Sequence, residues 1–421
     1  MDTDQLARRL ADLVRDHHVP GAQLAVHHPG DGLWTTSVGL AEDAAVPIGS
    51  ITKTFTATVA MTLVSDGDLD LDTPLPDVDH PLTLRHLLSH TGGLPSDPDD
   101  IRTTSLRRHA LEAGRTLVPL HSPGAGFSYS NIGYVLVGHL IEVATGMSWW
   151  EAVDAVLLRP LGLRPHFTVG PEEDRNVVAG HAVNAAQRRA VPVSQSLALV
   201  DAPAGALAAS ATDLVTFGRM LAGAPPHLVD GADLALMRTP VRHAEPFGMA
   251  DGWGLGLALY ERDGVAWVGH DGTADGTSCH LRINPADGTV VALTTNGSSG
   301  FALWRDLVPV LAEAGLPVGD YDGLGDLRDP IAPPEGCTGS FVNGDVEYSV
   351  QPTEREVLKL TVDGEPFADL SLFDGLVFEM RDSDTGDTSQ TGRFLRDPRG
   401  GGIQWIQIGG RLARRQVPEM V

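Results

Sequence analysis

The stretch "PIGSITKTFTATVAMTLVSDG", residues 47–67, holds one of only two lysines in a chain of 421 residues. Lys53 and Lys359 aside, the other 28 of the 30 basic residues are arginine. A helix that starts at Gly49-Ser50 puts positions i and i+3 on one face, so the Lys53 amine lies beside the Ser50 hydroxyl. A helix N-terminus carries partial positive charge, which favours a neutral amine and an arriving oxyanion. A lysine so placed can be drawn from about 10.4 toward neutral pH and act as a base. Arginine stays protonated in proteins and could not substitute. An isolated Ser-x-x-Lys is more often an N-cap followed by a surface charge. This one stands out because arginine has replaced lysine almost everywhere else.

Two further stretches carry side chains suited to chemistry. In "GFSYSNIGYVLVGHLIEVATG" (126–146), Tyr129 and Asn131 precede an apolar-periodic helix and so sit on its entry loop. A phenol beside a lysine can be held partly ionised and share in proton transfer, and Asn131 offers a donor and an acceptor to a substrate amide. The bland alternative is that Asn131 caps the helix and Tyr129 packs. In "WVGHDGTADGTSCHL" (267–281), His270 and Gly272 are predicted at the end of a strand, where a glycine lets a substrate backbone approach closely. A lone histidine among sixteen is more often structural.

Outward from these stretches the chain divides. A first helix has Leu6, Leu10, Leu13 and Val14 on one face. The runs 22–28 and 32–40 then read as a hairpin turning at Pro29-Gly30-Asp31. Residues 50 to about 240 read as helical with long loops, with capping-box spacing at Ser148 and Glu151 and a similar helix start at Ser210. Strands return at 255–262, 265–269, 276–284 and 289–296, joined by short turns that require antiparallel neighbours, and a helix over 301–315 follows. The expected fold class is α+β: one antiparallel sheet built from both ends of residues 1–316 with flanking helices, beside an all-helical lobe. A Gly/Pro/Asp-rich linker is expected over 317–335. Residues 336–421 contain short alternating runs at 345–350, 357–362, 368–373, 376–380, 392–396 and 402–408, which suggest a small antiparallel barrel or sandwich.

The formal charge of −25 argues against nucleic-acid and anionic-membrane partners, which need a positive field. The opening segment lacks the uninterrupted apolar core of a secretory signal, and no later run has the length of a membrane span, so a cytoplasmic location is expected. Cys279 and Cys337 are expected as free thiols. No His/Cys/Asp cluster has metal-ligand spacing, so neither metal nor cofactor is expected.

Taken together, Ser50-x-x-Lys53, Tyr129-Ser-Asn131 and His270-Asp-Gly272, in that order, resemble the serine β-lactamase and penicillin-binding-protein superfamily, and within it the class C-related branch. The stretches "LTLRHLLSHTGGLP" (82–95), "PAGALAASATDLVTFGRML" (203–221) and "WGLGL" (253–257) are similar to family segments, and the likeness covers about residues 5–316. The resemblance implies that Ser50 is a nucleophile that forms an acyl-enzyme. Lys53 and Tyr129 are implied as its bases. Asn131 would hold Lys53 and bind substrate amide, and His270 would line the cleft opposite. Gly272 would admit the substrate, and Thr273 would supply an oxyanion N–H together with Ser50. The third motif departs from the Lys-Thr-Gly of β-lactamases. A titratable histidine followed by an acid is a poor receptor for a carboxylate unless strand alternation turns Asp271 away.

With an added C-terminal β (lipocalin-like) domain and no visible export signal, the chain looks most like the penicillin-binding-protein-type thioesterases, stand-alone cyclases of nonribosomal peptides. This implies a small-molecule or peptidyl thioester ending in a D-residue, free or presented by a carrier protein, released from Ser50 by head-to-tail cyclisation. The C-terminal domain would be structural cover or a lid against water. The arginine pairs 107–108 and 188–189 are weak candidates for docking an acidic carrier and read first as solvated surface charge. A D-stereospecific esterase, amidase or peptidase is the alternative enzyme, and a non-catalytic binding or sensor homologue is the alternative of another class.

Overall fold

The computed structural model describes residues 2–76, 78, 80–97, 103–170, 176–323, 325, 329–353, 357–383, 388–397 and 400–416. Part of the predicted linker (324 and 326–328) therefore lies outside the described residues.

A seven-stranded antiparallel sheet organises the first domain, in the order Gly32–Val38, Ala22–His28, Val290–Thr295, Thr277–Ile283, Val265–Ala274, Ala258–Arg262 and Gly252–Trp253. Its strands come from both ends of the domain, as the turn chemistry predicts. The helices Thr3–Asp16 and Gly300–Glu313 pack together on one face, while Ala211–Ala222 covers the other. The strands Thr277–Ile283 and Val290–Thr295 are consequently buried at every position. Val290–Thr295 accordingly starts as a continuous apolar run rather than an alternating one, whereas Thr277–Ile283 buries His280 and Arg282, both paired to Asp271.

The middle of the chain is largely helical, as expected. It also holds two short two-stranded ladders, Val46–Pro47 with Ala208–Ala209 and Gly180–Asn184 with Arg189–Val193. The Ser148 and Ser210 capping boxes form, the latter with Asp213 at N3.

Two expectations need correction. The strand carrying His270 does not end near Gly269 but continues to Ala274. Its glycines serve close approach rather than termination: a Cβ on Gly269 would lie 1.9 Å from Leu281 O. The start of the linker is also not free. Leu316 and Val318 are buried in the sheet–helix core, and Asp320 bonds to Arg282 and Trp304.

The C-terminal runs form a closed eight-stranded antiparallel barrel, so the barrel and not the sandwich is correct. Two strands the sequence reading left out, Gly339–Asn343 and Arg411–Arg415, pair with each other and close it. Closure leaves no sheet edge exposed. Phe341, Phe378 and Phe394 fill the interior.

Candidate active site

The helix Ile51–Ser65 begins at Ser50 and is buried along Ile51–Leu63, on all its faces. Its threonines favour strands over helices, so tertiary bonds must hold it. Thr54 Oγ1 donates to Gly256 O and Thr56 Oγ1 to Pro203 O, while Thr52 Oγ1 accepts from Leu207 N. These bonds fix the Ser50 end of the helix against the 203–207 loop.

Lys53 is 1% exposed. Its Nζ lies 3.0 Å from Ser50 Oγ and donates to Ala204 O at 2.8 Å. Burial, and after it the Arg411 cation, bring the amine down to about 7, against the pull of Asp97 and Asp201. A neutral amine can accept the Ser50 proton across the 3.0 Å contact.

Tyr129 sits next to this pair, its ring centre 5.1 Å from Lys53 Nζ. Its hydroxyl is buried, with no hydrogen-bonded partner among the described residues. Burial pushes the phenol well above its ordinary pKa, opposed by the neighbouring Ser50 hydroxyl and Arg411. The partly ionised phenol expected from the sequence is therefore corrected: Tyr129 is a neutral hydroxyl.

Asn131 opens the helix Asn131–Thr145, but Ser130 caps it by accepting from Gly133 N. The Asn131 amide donates to Asp97 Oδ1 at 2.5 Å rather than holding Lys53. Asn131 still lines the Ser50 cavity.

His270 is buried, with Nδ1 2.5 Å from the Asp271 carbonyl. That contact puts the proton on Nδ1 and leaves Nε2 a buried acceptor with no partner among the described residues. Burial, followed by the nearby Lys53, lowers the imidazole to about 4, so it is neutral.

Asp271 points away from the cleft. It accepts from His280 at 2.8 Å and from Arg282 at 2.7 Å, and Arg282 also reaches Asp320 at 2.6 Å. Burial would raise the Asp271 carboxyl, but Arg282 and His280 outweigh it and hold it far below the usual range. The repulsion expected toward an incoming carboxylate thus falls away.

Gly272 and Thr273 lie on a strand edge that loses its neighbour, since the strand Ala258–Arg262 pairs only as far as Gly269. The Ser50 loop packs there instead. A Cβ on Gly272 would be 1.9 Å from Ile48 O, and one on Gly49 would be 2.1 Å from Thr273 O. The backbones of Ser50 and Thr273 share a cavity of about 380 Å³, lined also by Asp97, Asn131, Asp201 and Asp275.

Sequence reasoning missed Asp97, Asp201 and Arg411. Asp201 has a buried Oδ1 with no partner among the described residues, and burial, then Asp97, raises its carboxyl to about 6 despite Lys53. Arg411 comes from the barrel, with Cζ 5.3 Å from the Tyr129 ring centre. Gly409 and Gly410, with φ of 51° and 72°, turn the hairpin between Ile403–Ile408 and Arg411–Arg415. Positive φ at both central residues is the type I′ requirement, which glycine meets without strain. The hairpin is bonded into the first domain: Tyr129 N donates to Gly410 O at 3.0 Å, Gly410 N to Phe247 O at 3.0 Å, and Leu412 N to Ser128 Oγ at 3.3 Å. The one signal in the sequence was "GGR" between two alternating runs.

Comparison with known proteins agrees with this geometry. The β-lactamase family model matches residues 6–315, and the chain belongs to that family, within the superfamily of serine hydrolases and penicillin-binding proteins. It is 35% identical over 362 residues to penicillin-binding protein 4 of Amycolatopsis lactamdurans, covering 77% of this chain and 92% of that protein. The crystal structure of SurE superposes with a TM-score of 0.86 at 41% identity over 98% of both chains, barrel included. SurE with D-Leu gives 0.84 at 39% identity over 98% of this chain and 99% of that one. A D-stereospecific amidohydrolase from a Streptomyces species is 28% identical over 70% of this chain and 94% of its own, with a TM-score of 0.59. Among the described residues no helix is long and apolar enough to cross a membrane.

Proposed function

We propose that this chain is a serine acyl-transfer enzyme that takes the acyl group of a peptidyl thioester or ester ending in a D-residue onto Ser50. Release is by attack of the peptide's own N-terminal amine, giving a macrocycle. The observation that carries the reading is the buried Lys53–Ser50 contact, with an amine brought to about 7.

In acylation, neutral Lys53 takes the Ser50 proton while Oγ bonds to the carbonyl carbon. The backbone N–H groups of Ser50 and Thr273 receive the oxyanion; one such donor is typically worth about 3 kcal/mol of barrier. The carbon–sulfur bond then breaks, and the proton passes from Lys53, by way of the neutral Tyr129 hydroxyl, to the leaving thiolate. In release, the amine nitrogen bonds to the acyl carbon, the carbon–Oγ bond breaks, and one amine proton returns to Oγ through the same pair.

A D-residue at the acyl end is supported by the likeness to SurE crystallised with D-Leu and to a D-stereospecific amidohydrolase. Aminolysis is supported by the barrel hairpin seated beside Tyr129, which would limit the approach of water from that side. The thioester would arrive as a small molecule or on a carrier protein.

The test is product analysis by mass spectrometry with a synthetic peptidyl thioester that has a free N-terminus and a C-terminal D-residue. Ser50→Ala serves as the control. Cyclic product that depends on Ser50 is expected. Linear acid alone would turn the reading to the D-stereospecific hydrolase that the amidohydrolase likeness favours. No Ser50 adduct with the thioester or with a fluorophosphonate would overturn both.

A further inference from the structure

His90, in the segment "LSHTGG" (88–93), belongs to none of the three motifs, yet its carbonyl, its Nδ1 and its ring face are all turned to Tyr129 or its neighbours. Its backbone is left-handed, with φ 56°. For a residue other than glycine this is an uncommon conformation that must be held by its surroundings. What the conformation achieves is a bracket. The His90 carbonyl accepts from Ser128 N at 2.9 Å, and its Nδ1 accepts from Ser130 N at 3.0 Å. The residues on both sides of Tyr129 are thus bonded to a single side chain and its own carbonyl. Between those bonds the imidazole lies over the phenol, with ring centres 4.3 Å apart and planes 31° apart. Tyr134 and Trp253 hold the imidazole in turn, with ring centres 5.2 Å from it in both cases.

We infer that His90 is a positioning residue that sets where the Tyr129 hydroxyl stands relative to Ser50 and Lys53. The inference rests on the acyl-transfer reading above, in which Tyr129 relays the proton. A histidine is suited to the task. Its Nδ1 must be an acceptor for Ser130 N, so the ring must be neutral with its proton on Nε2. Burial, and after it Lys53, keep the ring neutral far below pH 6.5. The remaining backbone groups of Tyr129 are fixed from elsewhere, its N–H by Gly410 O and its carbonyl by Ser96 Oγ. Among the described residues, His90 alone bonds to both neighbouring N–H groups and packs on the ring.

The experiment is a double-mutant cycle between His90 and Tyr129. His90→Gly suits the left-handed backbone but removes the acceptor and the ring. His90→Asn also tolerates that backbone and guards against loss of folding in the glycine variant. Fluorophosphonate labelling of Ser50 and turnover of a p-nitrophenyl ester of an N-acetyl D-amino acid are measured, with active sites titrated by the burst. His90→Gly is expected to lower kcat per titrated site 10- to 100-fold with KM within threefold, as misplacement of a reacting group does. Added imidazole should recover part of the loss. In a Tyr129→Phe background the same change should cost less than threefold, because the group it positions is gone. Equal losses in both backgrounds, or no loss in kcat per site for either variant, would overturn the inference while leaving the Ser50 chemistry standing. A wild-type protein that does not label at Ser50 would overturn the acyl-transfer reading and this inference with it.

Discussion

Lys53 offers the most quantitative test of the site. Burial and then Arg411 set its amine at about 7, while Asp97 and Asp201 work to raise it. If the neutral amine takes the Ser50 proton, the rate of Ser50 acylation has an acid limb centred near pH 7 and falls to about a tenth of its plateau one pH unit lower. Arg411→Ala removes a repelling cation. Lys53 Nζ and Arg411 Cζ lie 5.1 and 5.3 Å from the Tyr129 ring centre, so they stand at most about 10 Å apart. At an effective dielectric of about 20 to 40 that separation is worth roughly 1 kcal/mol, or about half to one pH unit. Without the cation the ammonium form is easier to keep, so the limb moves up. Asp201→Asn removes a charge that favours the ammonium, so the limb moves down. The buried histidines do not interfere, since His270 is held at about 4 and His90 well below its usual value. The assay is the rate of fluorophosphonate labelling of Ser50 against pH, read by mass spectrometry. Opposite displacements in the two variants are expected. A limb unmoved by both changes, or one lying above pH 9 as for an exposed lysine, would refute the reasoning.

Three other outcomes follow from the same geometry. Lys53→Met should abolish turnover yet stabilise the fold: an amine lowered from 10.5 to about 7 costs on the order of 4 kcal/mol near neutral pH. The unfolded chain binds the extra proton, so this cost is full below pH 7 and fades as pH rises toward 10.4. Denaturant unfolding at pH 6.5 and 9.5 should show a larger gain at the lower value. Gly272→Ala puts a methyl 1.9 Å from Ile48 O, which must push the His270 strand off the Ser50 loop. About a hundredfold loss in acylation is expected, and a loss under threefold would contradict the placement of Thr273 beside Ser50. Asp271→Asn leaves Arg282, which is 0% exposed, with Asp320 as its remaining ion-pair partner. Breaking a buried pair this way should cost about 3 kcal/mol, measured as a fall in unfolding midpoint.

Where the sequence was readable and where it was not follows physical lines. Most of the sheet could be read because, apart from the join of Ala22–His28 to Val290–Thr295, neighbouring strands are consecutive and the turns between them short, so their antiparallel order follows from the chain itself. Ser50 and Lys53 could be placed because i, i+3 geometry is local. The roles of Asn131 and Tyr129 were misread in part because each depends on a distant segment: Asp97 takes the Asn131 amide, and burial beside Trp253 and His90 keeps the phenol neutral. The end of the His270 strand was misplaced because "GHDG" looks like turn chemistry. Its glycines instead make room for backbone from two neighbours, Leu281 on one side and Ile48 on the other. The strand Arg411–Arg415 was passed over because "RLARR" puts three arginines in five residues. On a barrel strand those side chains can face outward, and one of them, Arg411, lies over Tyr129.

That last point changes what the barrel is for. Burial does most to bring Lys53 to about 7, and the positive charge that adds to it comes from the barrel, through Arg411. The same hairpin bonds the Tyr129 N–H and the Ser128 hydroxyl. A barrel displaced from its seat would uncover the tyrosine and remove a cation from the lysine at once. Both changes favour the ammonium, and an ammonium cannot take a proton from Ser50. In the proposed reaction the Lys53 base therefore depends on both domains. A Gly410→Ala change tests this from the barrel side, because its methyl would lie 2.4 Å from Met249 Sδ and 3.1 Å from Phe127, at a φ that disfavours alanine. The expected result is the acid limb of Arg411→Ala reproduced with the arginine still present. A Gly410→Ala profile that coincides with the wild type at every pH would show that the first domain sets its base alone.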